Sequence, residues 1–175
     1  MKDFKELVQM RRSHRKFTDE PLTPDEVKLI LRAGLMSPTS KNRRSWQFIV
    51  VDDKVNLQKL ADAKEQYAEF ISGASLAIVL AANPEENECW IEDCSIAAIT
   101  MQYQAEDLGL GSCWAQMRNY TLSDGTSSED VIRGILGIPD THRVLCILAI
   151  GHKADERKPQ NEERLKWENV HVDNY

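Results

Sequence analysis

The stretch IEDCSIAAITMQYQAEDLGLG, residues 91–111, constrains the fold more than any other part of the chain. It reads as the longest helix, with Glu92 or Asp93 near its start and Gly109 near its end. Ile96, Ala97, Ala98, Ile99, Met101, Tyr103 and Ala105 carry apolar groups almost all the way round it. A helix of this kind has to be covered on several sides, and a chain of 175 residues supplies one core of moderate size. The missing cover is expected from a second copy of the chain.

The remaining elements follow from periodicity and punctuation. Phe4, Leu7 and Val8 recur at helical spacing, so a first helix runs up to the arginines at 11 and 12. LTPDEVKLILRAGL predicts a second, with Thr23 as cap, Pro24 in the first turn, Glu26 closing a capping box, and Val27, Ile30 and Leu31 as its apolar face. Pro38 and the small polar residues of MSPTSKNRRS read as a loop. WQFIVVDD and ASLAIVLAAN read as strands, the second buried on both faces, and GSCWAQM and RVLCILAIG as two more. A helix beginning near SSEDVIRGIL lies between the last two and is closed by Gly137 and Pro139. Residues 1–175 are expected to form one domain, with 152–175 as a charged C-terminal arm that ends on Trp167, Val170, Val172 and Tyr175.

A net charge of -6 argues against a nucleic-acid or membrane-surface partner, which calls for a basic excess. No apolar run is long enough to span a bilayer and MKDFKELVQM is a polar, amphipathic start, so the expected location is the cytoplasm. Cys89, Cys94, Cys113 and Cys146 form no CxxC pair and read as reduced thiols. His14, His142, His152 and His171 are dispersed, with no metal-ligand spacing.

Against that acidic background RRSHRKF, residues 11–17, concentrates cations around one hydroxyl. Solvated cations closing a helix would have the same composition. The chemical alternative is an anion site in which Arg11 and Arg12 fork onto a phosphate, Ser13 donates to it, and Arg15 reaches another acceptor nearby. In SPTSKNRRSW, the short polar side chains of Thr39, Ser40 and Asn42 beside Pro38 suit the edge of a flat heteroaromatic ring. Gly109 and Gly111 permit close backbone approach but do not make the GxGxxG dinucleotide fingerprint, and no phosphate loop of the ATPase type is present.

Taken in order, RRSHRKF, SPTSKNRRSWQFIVV, EDCSIAAITMQYQAEDLGLGSCWAQMRN and IPDTHRVLCILAIGHKADERKP resemble the nitroreductase-like family of FMN-dependent oxidoreductases, over nearly the whole chain. The resemblance implies an α+β fold with a central, mostly antiparallel sheet flanked by helices, and an intertwined homodimer with FMN at the interface. It implies that Arg11, Arg12 and Ser13 serve the phosphate and ribityl end while Arg15 faces the ring. It assigns Pro38, Thr39, Ser40 and Asn42 to a loop laid along the partner's flavin, and Trp114, Gln116 and Met117 to the strand passing the ring. Gly151, His152 and Lys153 would return to the phosphate, with Arg157 or Lys158 as a further contact.

The activity implied is hydride transfer from NADH or NADPH through flavin N5 to a nitroaromatic, quinone or similar small acceptor. No side chain is then a catalytic acid, base or nucleophile, because the flavin carries the chemistry. The alternative is a non-catalytic module that stores or senses FMN. One departure stands out: many members carry Gln-Pro before the loop's tryptophan, where this chain has Arg44 and Ser45 before Trp46, with Arg43 beside them.

Overall fold

The computed structural model describes residues 3–175; Met1 and Lys2 of the amphipathic start lie outside the described residues. Its centre is a four-stranded sheet of β1 (Trp46–Val51), β2 (Leu76–Ala82), β3 (Gly111–Gln116) and β4 (Arg143–Gly151), in the order β1-β2-β4-β3, with every neighbouring pair antiparallel. The helices are α1 (Phe4–Met10), α2 (Pro24–Leu35), α3 (Lys54–Asp62), α4 (Trp90–Asp107) and α5 (Ser128–Leu136).

Strand alternation divides the core into two layers. Ala77, Val79 and Ala81 of β2 face Leu57 and Leu60 of α3 and Ile132 of α5. Leu76, Ile78, Leu80 and Ala82 face Ile30 of α2 and Ala97, Ala98 and Met101 of α4. All of β2 is therefore buried, as its unbroken apolar run predicts, and helices cover both faces of an antiparallel sheet. The long helix α4 closes most of one face.

The capping box expected for α2 is present: Glu26 N–H donates to the Thr23 hydroxyl at 3.3 Å, and Thr23 N–H donates to the Glu26 carboxylate at 2.7 Å. Such a cap contributes about 1 kcal/mol. Helix α3 was not among the sequence expectations. Asp53 caps it by accepting from Asn56 N–H at 2.9 Å, and it forms because Leu57, Leu60 and Ala61 bury against the sheet.

Candidate functional site

The residues following α1 cross the edge of the sheet in extended form. His14 N–H donates to Ser112 O at 3.0 Å, Thr18 N–H to His152 O at 3.0 Å, and Ala154 N–H to Lys16 O at 3.0 Å. Ser13 thus bridges to β3 and Phe17 to Lys153, just beyond β4. Two glycines make the approach possible. A Cβ on Gly111 would lie 2.9 Å from the His14 Cβ, and one on Gly151 would lie 3.0 Å from the Phe17 ring.

This crossing gathers the cations at one place. Burial pushes the Cys113 thiol up, while the charges of Arg15, Arg11 and Arg157 and a hydrogen bond with Ser13 act against it. Three residues of the segment 11–15 and Arg157 of the arm are therefore brought near one point on β3. The Arg11 side chain has no hydrogen bond or ion pair with any described residue, and the Arg15 guanidinium lies 5.8 Å from the centre of the Phe70 ring. Arg15, Phe17, Tyr67, Phe70, Ser72 and Ala154 line a cleft of about 820 Å³.

The other cations are differently engaged. Arg12 turns to the arm, donating through Nη1 to Lys158 O at 2.6 Å. Lys153 Nζ is held by both carboxylate oxygens of Glu106 at 3.0 Å, against a carboxylate side chain that is 3% exposed. His152 stands 4.0 Å from Glu20, and Arg157 is paired with Asp155 at 2.8 Å.

β3 is an edge strand, and its outer edge is occupied at both ends. Ser112 O accepts from His14 N–H, and Gln116 O accepts from Lys64 Nζ at 3.1 Å. By strand alternation the backbone of Trp114 faces the same open edge between them, a span of about 13 Å. The side chains here are set by their own bonds. Trp114 Nε1 donates to Gln116 Oε1 at 3.0 Å, and Gln116 Nε2 donates to Arg118 O at 3.2 Å. Met117 instead shares a face with Cys113 and Ala115 and lies fully buried in the α3/α5 layer. Lys64 was absent from the sequence expectations, as was the Asp155 partner of His14. Both contacts join distant parts of the chain, 52 and 141 residues apart, and leave no local pattern.

The loop carrying Pro38, Thr39, Ser40 and Asn42 lies elsewhere. Ser40 N–H donates to the buried Asp93 at 2.9 Å, Asn87 Nδ2 donates to the same carboxylate at 2.6 Å, and Lys41 reaches Glu88 at 3.5 Å. Arg44 N–H donates to Thr39 Oγ1 at 3.1 Å, Arg44 Nε donates to Asn42 Oδ1 at 2.9 Å, and Arg43 donates to Glu86 O. Lys41, Asn42 and Arg44 all take left-handed backbone, with φ of 51°, 55° and 52°. The loop is tied to the start of α4, while the cationic segment sits near Glu106 at its end, about 20 Å further along the helix axis.

A family model described as "Nitroreductase family" matches residues 8–68 and 58–152. An FMN-dependent nitroreductase from Clostridium difficile R20291 superimposes with a TM-score of 0.94 at 42% identity, covering 97% of this chain and 98% of that one. A protein of Archaeoglobus fulgidus, provisionally named NADH dehydrogenase/NAD(P)H nitroreductase, is 29% identical over 95% of this chain and 100% of its own length. A Staphylococcus epidermidis protein named NADPH-dependent oxidoreductase is 27% identical over 97% of this chain and 73% of its own. With the family model matching from α1 through β4, and a solved nitroreductase following the same path almost end to end, the chain belongs to the nitroreductase family.

Proposed function

We propose that the protein is an FMN-dependent oxidoreductase that takes reducing equivalents from NADH or NADPH and passes them to a small oxidised acceptor such as a nitroaromatic or quinone. The observation that carries this reading is the group of Arg11, Ser13, Arg15 and Arg157 around Cys113, beside the open edge of β3 at Trp114. Those residues fit the cofactor. Cations and a hydroxyl suit a terminal phosphate, and unpaired backbone along an edge strand suits the polar rim of a flavin ring.

Bound FMN supplies the hydride chemistry, and the protein supplies binding, orientation and charge. In this assignment Arg11 and Ser13 hold the phosphate end, Arg15 places positive charge against the ring, and β3 presents its edge between His14 and Lys64. The thiols take no part. Burial and Asp93 push Cys94 up to about 12, and burial also raises Cys113 and Cys146.

A homodimer completes the site in this reading. The loop of Pro38, Thr39, Ser40 and Asn42 is held at the far end of α4 from the cationic group, so a second copy is the natural source of the loop for each site. Two uncovered apolar regions support pairing. One is on α4, where Ile96 is 38% exposed and Ile99 beside it is half-buried; the other is the arm, where every residue from Glu156 to Tyr175 is exposed, Trp167 and Val172 among them.

The test is spectroscopic. Purified protein should be yellow, release FMN on heating, bleach under NADH or NADPH without oxygen, and regain colour when a nitroaromatic or quinone is added. Stoichiometric FAD would contradict the cofactor assignment, and a flavin that neither nucleotide bleaches would contradict the activity.

A further inference from the structure

The arm bends back on the cationic segment through one carboxylate. Asp155 Oδ1 lies 2.7 Å from His14 Nδ1, while its Oδ2 accepts from Arg157 Nε at 2.8 Å and lies 2.8 Å from Nη2 of the same guanidinium. His14 is 3% exposed and its backbone is fixed to β3 through Ser112 O. The neighbouring backbone is also pinned, because Ala154 N–H donates to Lys16 O. With Glu106 and Lys153, these three residues line a cleft of about 530 Å³.

We propose that Asp155 is a positioning residue for the phosphate site, clamping Arg157 against the buried His14 so that the free edge of the guanidinium is presented to the anion. The inference rests on FMN being the ligand. A guanidinium carries five N–H donors. Asp155 engages the guanidinium along its Nε–Nη2 edge, so both hydrogens of Nη1 remain for a ligand. Arg157 is otherwise an exposed side chain on a surface arm, with several rotatable bonds to be fixed on binding. Asp155 fixes them beforehand, and His14 fixes Asp155.

The sign of the effect separates this role from simple charge. Removing a carboxylate beside an arginine would by itself strengthen anion binding. A positioning role predicts the reverse. Asp155→Asn is expected to raise the FMN dissociation constant about tenfold, the size of one charge-assisted hydrogen bond. Riboflavin, which has the ring and ribityl chain without the phosphate, is expected to bind the variant within about twofold of the parent. In an Arg157→Met background, Asp155→Asn should change FMN affinity by less than about twofold, because the residue through which it acts is gone.

All three quantities are read by flavin fluorescence titration of apoprotein. Tighter or unchanged FMN binding by Asp155→Asn would overturn the proposal. So would equal weakening of FMN and riboflavin, or an undiminished effect in the Arg157→Met background, since either marks a general loss of structure. Failure of the parent protein to bind FMN would overturn the cofactor reading and this inference with it, and only the parent titration reports that outcome.

Discussion

At the C-terminal end of α4 the segment Arg11–Phe17 is fastened by backbone bonds to β3 and to the residues after β4, with Arg11 and Arg15 left out of any ion pair among the described residues. At the N-terminal end the loop from Ser37 to Ser45 is fastened by the side chains of Asp93 and Asn87, and its cations are engaged by Glu88, Asn42 and the Glu86 carbonyl. One end offers unsatisfied positive charge on a rigid frame. The other offers short polar side chains on a frame with three left-handed residues, a conformation that costs on the order of 1 kcal/mol or more per residue unless its surroundings impose it. In the proposed assignment neither end is a whole site, and the length of α4 keeps them apart.

The comparison predicts its largest effect at the rigid end. Arg11→Met should weaken FMN binding by about 10- to 150-fold, equivalent to losing one or more hydrogen bonds from a charged donor, with little change in the potential of flavin that stays bound. Arg15→Met should do the converse. Much of the FMN affinity should remain while the two-electron midpoint potential falls by about 30–65 mV, because its charge favours the reduced ring. Titration and spectroelectrochemistry on both variants read the division directly; equal effects on both quantities would erase it.

At the loop end the expected effect is on stability. Asp93→Ala removes the acceptor of Ser40 N–H and one of the two acceptors of the buried Asn87 Nδ2, which keeps its bond to Ser45 Oγ, and this should cost about 1–3 kcal/mol in urea unfolding. A cost below about 0.5 kcal/mol would mean that the network does not hold the loop.

The smallest effect is a control placed away from both ends. Burial acts to raise the Glu129 carboxyl, but the Arg143 fork at 2.7 and 2.8 Å and the Val144 N–H at 3.0 Å together hold it below its usual value of 4.5. A carboxyl held low in the folded state contributes stability above 4.5 and loses that contribution as the pH falls through its folded value. Glu129→Gln should therefore flatten the decline of the urea midpoint below pH 4.5. An unaltered acid limb would assign the acid sensitivity elsewhere.

What the sequence revealed depends on how local the signal is. Thr23, Pro24 and Glu26 announce α2 because a capping box is contained within four residues. β2 is legible because every one of its side chains is apolar. Helix α3 is not, since KVNLQKLAD is half polar and gains its helicity from packing against the sheet. Within the site, the clustering of Arg11, Ser13 and Arg15 is visible as a run of letters, whereas their meeting with Arg157 requires the fold. Met117 could have been set apart from Trp114 and Gln116 by alternation alone, because it continues the face of Cys113 and Ala115, which packs in the α3/α5 layer. Arg12 could not, since only the path of the arm explains why it turns to Lys158 O.

The central claim, that each flavin site draws on two chains, can be tested by complementation. One variant carries Arg11→Met; the other carries Thr39→Ala, Ser40→Ala and Asn42→Ala. Each alone should hold little FMN at a concentration that fills the parent. If the cationic segment and the loop of one site come from different chains, refolding the two variants together at equal amounts makes heterodimers in which one of the two sites is intact. Bound FMN should then rise to about a quarter of the parent's, since random pairing makes half of the dimers mixed. No gain over the separate variants would contradict the account, because it would mean that one chain supplies both parts of its own site.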